Sequence, residues 1–218
     1  MSNELVKLST PVGELFYVNI SGQGKENYNE DGYEYTASLR LEGKAAEELI
    51  AKIDEVGETI PTGHTLKSTG YKELVKDAEG NLRSPSRAKP AEDGEEPSGI
   101  FEFSFKTNTT YADGKTKSIA VYNKDAKKIE LGDRKIGNGS KGAISGVMKG
   151  GSYKKEFSVS LYLNAVQITE FEEYIGDAGF DAQEGDFDGV TDEETGFTGQ
   201  AEDEAKPAET KAKAKPKL

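Results

Sequence analysis

Hydrophobic and polar residues alternate along several short segments of the chain, and this pattern predicts β-strands. The alternation is most regular at residues 33–41, where almost every second residue is aromatic or aliphatic. At residues 13–20, we expect Phe16, Val18 and Ile20 to share the buried face of a strand. The same pattern predicts further strands at residues 100–106, 118–122, 143–148, 157–163 and 165–171.

One segment, residues 44–56, has a helical period instead, because its apolar residues recur three and four positions apart. Residues 76–99 are polar and contain three prolines, so we predict a long loop there. Many short strands combined with a single helix are typical of a small β-barrel. The pattern therefore predicts a mainly β fold with one or two helices.

Charge is distributed unevenly along the 218 residues, which carry a net charge of -12. Residues 176–205 contain 11 acidic and no basic side chains, whereas residues 206–218 contain five lysines and one acidic residue. Both segments have too few apolar residues to build a core. We therefore predict a folded domain at residues 1–175 and a disordered acidic tail at residues 176–218. Three phenylalanines spaced among the acids indicate a segment that docks on a partner, the alternative being a tail that only improves solubility: Phe180, Phe187 and Phe197.

The sequence argues against catalysis. It contains no cysteine and one histidine, His64, which excludes thiolate nucleophiles and multi-histidine metal sites. Its paired carboxylates lie in polar segments, where no apolar pocket would raise the pKa of one of them for acid catalysis. Residues 137–142 match the G-x-G-x-x-G pattern, but strand-like rather than helical sequence follows, so we predict a glycine-rich turn instead of a dinucleotide site. We predict a protein that is not an enzyme and uses no cofactor.

The region from residue 100 to residue 170 is basic, with 12 basic and 7 acidic side chains. Tyrosines are interleaved with these cations, and surfaces of this kind bind single-stranded nucleic acids, because cations contact phosphates while bases stack on aromatic rings. The composition equally fits lysines that solubilise the surface and tyrosines that fill the rim of the barrel. The candidate stacking residues are Tyr122, Tyr153 and Tyr162, followed by Tyr17 and Tyr111. The candidate phosphate contacts are Arg40, Lys106, Lys115, Lys117, Arg134, Lys135, Lys141, Lys149, Lys154 and Lys155.

The most specific sequence pattern lies at residues 136–174. It reads Ile-Gly-Asn-Gly-Ser from Ile136, Leu-Tyr-Leu-Asn-Ala-Val-Gln-Ile from Leu161, and Phe-Glu-Glu-Tyr from Phe171. This run resembles the last two barrel strands of phage-encoded single-stranded DNA-binding proteins. The strand at residues 35–41 and the helix after it are similar to the early strand and helix of that family, and the acidic tail is a shared trait.

The resemblance implies an OB-fold barrel that coats single-stranded DNA without sequence preference in phage DNA replication, recombination or repair. It also implies that the acidic tail competes with DNA and docks replication proteins such as a polymerase or a helicase, and self-association is compatible with it. The lysine-rich end of this tail departs from the family pattern, in which the tail ends acidic. The first alternative is a phage structural or assembly β-barrel that serves protein contacts only. A second, less favoured alternative is a hydrolase that uses Lys or Asp chemistry, which would require a pocket.

The expected location is the cytoplasm, which is the host cytoplasm if the protein is phage-encoded. No apolar segment approaches the roughly 20 residues that a membrane span requires. The first residues, Met1 to Leu5, also lack the basic and apolar pattern of a signal peptide. We therefore expect no membrane partner.

Overall fold

The structure is a computed structural model that describes residues 5–27, 32–86 and 89–174. The predicted tail, with Phe180, Phe187 and Phe197, lies outside the described residues. Twelve strands and one helix follow in this order: β1 Val6–Ser9, β2 Gly13–Asn19, β3 Lys25–Glu26, β4 Tyr33–Glu42, α1 Gly43–Gly57, β5 Thr65–Ser68, β6 Tyr71–Lys76, β7 Leu82–Arg83, β8 Glu96–Asn108, β9 Ala120–Tyr122, β10 Lys128–Ile129, β11 Lys141–Tyr153 and β12 Glu156–Glu170.

Five of these strands close into a barrel in the order β2, β4, β8, β12 and β11. Neighbouring strands are antiparallel except β8 and β12, which run parallel and meet where Phe105 lies beside Leu161. Strand β11 returns to β2, with Lys141 opposite Glu14, and this pairing completes the ring. The predicted fold class is confirmed: the described chain is mainly β, with a five-stranded OB-fold-like barrel and one helix.

The barrel interior is filled by alternate residues of its strands, because successive side chains of a strand point to opposite faces. Phe103, Phe105, Leu39 and Ile144 are among its fully buried side chains. Helix α1 buries Ala46, Leu49 and Ile53, which are spaced three and four residues apart and therefore share one face. The helical period predicted this packing face.

Helix α1 is also tied to the sheet by a polar contact near its C-terminal end. The Tyr71 hydroxyl of β6 donates a hydrogen bond of 2.9 Å to Asp54 Oδ1. Burial, followed by the hydrogen bond and the charge of Asp54, raises the pKa of Tyr71 to about 12. The neutral phenol therefore serves as a donor between the helix and β6.

Two predictions of strand detail are wrong, and a β-bulge explains each. The strands predicted separately at residues 157–163 and 165–171 belong largely to one strand, β12. Asn164 is the extra residue of a bulge in this strand, because Ser145 pairs with Ala165 and the next residue, Gly146, pairs with Leu163. In β2, Leu15 rather than Phe16 is the fully buried residue. A register shift between Phe16 and Asn19 then returns Val18 and Ile20 to the core side.

The segment predicted as a long loop is partly strand, since β7 lies inside it and β8 begins at Glu96. The G-x-G-x-x-G segment is confirmed as a turn that leads into β11, which begins at Lys141. Within the described ranges, no helix combines the length and apolar character needed to span a membrane.

Candidate nucleic-acid interface

OB-fold barrels bind oligonucleotides on the face of their second and third strands, flanked by the loop between the first two strands and the loop between the last two. In this barrel those strands are β4 and β8. The flanking segments are the described residues 20–27 between β2 and β4, and the turn at residues 154–155 between β11 and β12. Most of the sequence-predicted contacts can be placed relative to these elements.

A groove of about 370 Å³ lies beside the β11–β12 turn and is called the hairpin groove here. Tyr153 is 72% exposed and carries Lys154 over its ring, with Nζ 5.4 Å from the ring centroid. The register places Lys149 opposite Ser160 and Val147 opposite Tyr162, so Lys149 and Tyr162 both lie on the outer face. The groove is lined by Lys67, Lys149, Gly151, Ser152, Tyr153, Glu156, Ser158, Ser160 and Tyr162.

Only part of the charge in the hairpin groove is available to a ligand. Lys67 forms an ion pair with Glu156, and these two charges offset each other. Lys149 has no ion pair among the described residues, and Lys154 and Lys155 extend the cationic surface at the turn. Lys154 adopts a positive φ of 56°, as the tight turn requires.

A second groove, of about 700 Å³, lies at the other flanking segment and is called the turn groove here. Tyr17 and Tyr174 both line it, and Tyr17 is 61% exposed. Its cations are Lys25, Arg134 and Lys135, and none of the described residues that line it is acidic. The turn groove therefore combines two tyrosines with a lining of net positive charge.

Lys106 lies between the two grooves on the outer face of β8. It pairs across the sheet with Thr36, which lines the turn groove. Its neighbour Phe105 is beside Leu161 of β12, and the residues flanking Leu161 are Ser160 and Tyr162 of the hairpin groove. The register thus joins both grooves into one stripe across β4, β8 and β12. Lys106 is 3.4 Å from Glu34, and its side chain remains largely exposed.

Arg40 stands apart from the other predicted cations because its charge is already matched. Its Nη2 lies 2.9 Å from Glu102 Oε2, and the two side chains are only 12% and 9% exposed. The guanidinium also stacks on Phe16, 3.7 Å from the ring centroid. These contacts give Arg40 a structural role on the barrel surface.

Four further predicted residues lie outside both grooves. Tyr111, Lys115 and Lys117 form a separate turn after β8, where Lys117 Nζ is 5.1 Å from the Tyr111 ring centroid. Lys115 pairs with Asp113 at 3.0 Å. Tyr122 lines a different pocket of about 330 Å³, beside β11 and β12.

Lys141 also lies outside the stripe, at the first residue of β11. Its ammonium is 2.8 Å from Glu170, and the hydrogen bond with that carboxylate raises the pKa of Lys141. Unlike the nearly buried pair of Arg40 and Glu102, this ion pair is exposed to solvent, so it is the position of Lys141 that sets it apart from the stripe.

Three groove residues with cationic or aromatic side chains are absent from the sequence-predicted set: Lys25, Lys67 and Tyr174. Lys25 and Lys67 lie outside the basic region at residues 100–170, which contains most of the predicted cationic contacts. Tyr174 closes the Phe-Glu-Glu-Tyr element at residues 171–174, so a signal for it was present in the sequence. Its position in the same groove as Tyr17 depends on the fold.

The stripe carries side chains of the kinds that bind ligands non-covalently. In the described ranges, no group of three or more His, Asp or Glu side chains is arranged to hold a metal ion. The stripe offers ammonium and guanidinium groups, exposed phenol rings and serine hydroxyls along an extended path. An extended, negatively charged chain that also carries flat rings matches this arrangement.

No family model matches the sequence, and no curated protein is similar to it in sequence. The structure is similar to the crystal structure of gp2.5, a single-stranded DNA-binding protein encoded by bacteriophage T7. The match has a TM-score of 0.55 and 18% identity, and covers 86% of this chain and 99% of that chain. The single-stranded DNA-binding protein from bacteriophage Enc34 matches with a TM-score of 0.47 and 13% identity over 82% of this chain and 96% of that one. The same Enc34 protein in complex with single-stranded DNA matches with a TM-score of 0.45 and 14% identity over 80% of this chain and 100% of that one. The likeness to gp2.5 shows that the chain shares its fold with a phage-encoded single-stranded DNA-binding protein, as the resemblance in sequence implied.

Proposed function

We propose that this protein binds single-stranded DNA without sequence preference along the stripe that joins the hairpin groove to the turn groove. The observation that carries the proposal is the register, which aligns two tyrosine-lined cationic grooves on either side of Lys106. The same part of an OB-fold barrel is the usual oligonucleotide-binding face. The phage protein gp2.5, which shares the fold, is a single-stranded DNA-binding protein.

The basic and aromatic side chains of the stripe would contact different parts of the DNA. Lys149, Lys106 and Lys135 would contact phosphates, with Lys25, Arg134, Lys154 and Lys155 extending the path. The exposed rings of Tyr153, Tyr162 and Tyr17 would stack on bases, and stacking tolerates every base because each has a flat π-face. Binding of this kind needs no catalytic group. The proposed function is therefore that of a binding protein and not of an enzyme.

The proposed setting is phage DNA replication, recombination or repair, in the host cytoplasm. The tail at residues 176–218 would modulate DNA binding and dock replication proteins, with Phe180, Phe187 and Phe197 as apolar contacts. Spaced aromatic residues among acids suit transient binding to a basic surface. The domain boundary at residue 175 belongs to the same proposal.

The experiment is a titration of tyrosine fluorescence with a 30-mer of oligo-dT at several salt concentrations. The protein contains no tryptophan, so tyrosines supply the signal. Each phosphate contact contributes about -0.7 to the slope of log K against log salt for single strands. With up to about seven cations in the stripe, we expect a slope between about -2 and -5.

A duplex of equal length is the control ligand, and Lys52→Ala on the exposed side of α1 is the control variant. Lys149→Ala should reduce the steepness of the salt slope by about 0.7, whereas Lys52→Ala should leave it unchanged. If neither the full chain nor a form lacking residues 176–218 is quenched by oligo-dT, the proposal fails. A structural or assembly role would then take its place.

A further inference from the structure

Tyr17 has a backbone conformation that bulky residues rarely adopt. Its φ is +52°, in the left-handed region, where a large side chain is a genuine outlier. It lies in the bulge of β2, where Tyr17 and Val18 occupy the register shift between Phe16 and Asn19. Such strain persists only where surrounding contacts hold it, and it clusters at functional positions.

Both backbone polar groups of Tyr17 are held by side chains rather than by the strand ladder. Its N–H donates a hydrogen bond of 2.8 Å to Asn138 Oδ1. Its carbonyl accepts one of 3.2 Å from Thr36 Oγ1. Side chains from two different segments therefore fix the peptide groups on either side of the Tyr17 Cα.

Asn138 belongs to a turn that is itself tightly held. This glycine turn, residues 137–140, is part of the G-x-G-x-x-G segment. The Gly139 N–H donates to the Leu15 carbonyl at 3.0 Å, and the Gly137 N–H donates to the Glu172 carbonyl at 2.8 Å. Ser140 is fully buried and bonds both backbone groups of Glu172. The turn is thus fastened to β2 on one side and to the segment that ends in Tyr174 on the other.

The Tyr17 ring is supported but remains accessible. Its centroid is 6.2 Å from that of Phe16, and Phe16 is in turn covered by the Arg40 guanidinium at 3.7 Å. Tyr17 is largely exposed and lines the turn groove, which Tyr174 also lines. The Tyr174 N–H donates to the Lys135 carbonyl at 3.0 Å, which anchors its backbone to the segment leading into the glycine turn.

We infer that the glycine turn is a device that presents Tyr17 to the bases of single-stranded DNA, with Asn138 as the positioning residue. This inference rests on the proposed function and assigns Tyr17 and Asn138 their roles within it. Asn138 holds the Tyr17 backbone in its left-handed conformation, so the ring is oriented before the ligand arrives. A ring fixed in advance loses less conformational entropy on binding than a mobile one.

The test compares oligo-dT with an abasic oligonucleotide of the same length, which keeps the phosphates and removes the bases. Loss of one base–aromatic stack corresponds to about a tenfold loss of affinity. We expect Tyr17→Ala to weaken oligo-dT binding by about tenfold while binding of the abasic chain and the salt slope stay unchanged. Asn138→Ala should produce the same selective loss, of about three- to tenfold.

The double variant separates positioning from direct contact. If Asn138 acts only through Tyr17, the Tyr17→Ala, Asn138→Ala variant binds oligo-dT no more weakly than Tyr17→Ala alone. Asn81→Ala is the matched control, because Asn81 is also a turn asparagine with side-chain hydrogen bonds but lies outside both grooves. If Asn138→Ala fails to fold, Thr36→Val replaces it, since this change removes the other hydrogen bond to Tyr17.

The outcomes separate this inference from the proposed function. Wild-type protein that binds oligo-dT, together with a Tyr17→Ala variant that binds it equally well, overturns the inference alone. Additive losses in the double variant also overturn it, because Asn138 would then act independently of Tyr17. Wild-type protein that binds neither oligo-dT nor the abasic chain overturns the proposed function itself.

Discussion

At the scale of single residues, the surface depends on which charges are already matched. Arg40 and Lys149 are both basic residues on outer strand faces, yet Arg40 is paired with Glu102 and Lys149 has no ion pair among the described residues. The pairing of Arg40 follows from the β4–β8 register, which places Glu102 directly opposite it. The sequence identified both residues as candidates, but only the register tells them apart.

Tyr17 provides a stability prediction at this scale. Tyr17→Gly and Tyr17→Ala both remove the ring, so their difference in stability reports the cost of the positive φ, less the effect of glycine on the unfolded state. The left-handed conformation costs a non-glycine residue about 1–2 kcal/mol, and the larger unfolded-state entropy of glycine offsets about 0.4–1 kcal/mol of that. We expect the glycine variant to be more stable by about 0.5–1 kcal/mol in urea unfolding. Equal midpoints for the two variants would contradict the assigned backbone conformation.

At the scale of elements, regular periodicity was predictable from sequence and its interruptions were not. Helix α1 and strand β4 match their predicted bounds within a residue or two, because each keeps one period throughout. In β12 the buried residues change phase from Leu161 and Leu163 to Val166 and Ile168. The extra residue Asn164 shifts the alternation of buried and exposed residues by one position. In the sequence, this shift looks like a break between two strands. Strand β6 was missed for the same reason, since its register shifts between Glu73 and Val75.

The contact between α1 and β6 makes stability depend on alkaline pH. Because the pKa of Tyr71 is raised to about 12, its neutral phenol is favoured in the folded state. The contribution is fully present below the unfolded pKa of about 10 and is lost as the pH rises from about 10 to about 12. We expect the difference in melting temperature between wild type and Tyr71→Phe to shrink over that interval.

The measurement is a series of thermal melts between pH 9 and pH 12 for wild type and Tyr71→Phe, with Tyr111→Phe as an exposed control. Near neutral pH, loss of the hydrogen bond to Asp54 should cost about 0.5–1.5 kcal/mol. Parallel pH profiles for wild type and Tyr71→Phe would show that the hydroxyl does not link the helix to β6.

At the scale of the whole molecule, the overall charge and the proposed binding surface have opposite signs. The chain carries a net charge of -12, while the turn groove has three cations and no acidic residue among its described lining. The composition alone therefore does not reveal that the lining of this groove is positively charged. The basic region was visible in the sequence, but the joining of its two grooves through Lys106 required the barrel.

Removal of residues 176–218 is expected to raise the affinity for single-stranded DNA, because it removes 12 acidic and five basic side chains. We expect the affinity to increase by about tenfold at low salt. The increase should diminish at higher salt, because salt screens the electrostatic effect of the tail on DNA binding. The oligo-dT titration measures it, with a form lacking only residues 206–218 as the control. Unchanged affinity at low salt would remove the proposed competition between the tail and DNA.

The ring closure between β2 and β11 has a consequence for the synthesis of the protein. Glu14 of β2 pairs with Lys141 of β11. Next to this pairing, the Ile144 N–H of β11 donates a hydrogen bond of 2.9 Å to Oγ1 of Thr10, which lies between β1 and β2, across a separation of 134 residues. A nascent chain therefore exposes the unpaired edges of β2 and β8 until β11 and β12 have left the ribosome. Contacts of such high sequence separation make folding slow, on the order of milliseconds to seconds. The stripe across β4, β8 and β12 consequently forms late, after nearly all of the barrel has been translated.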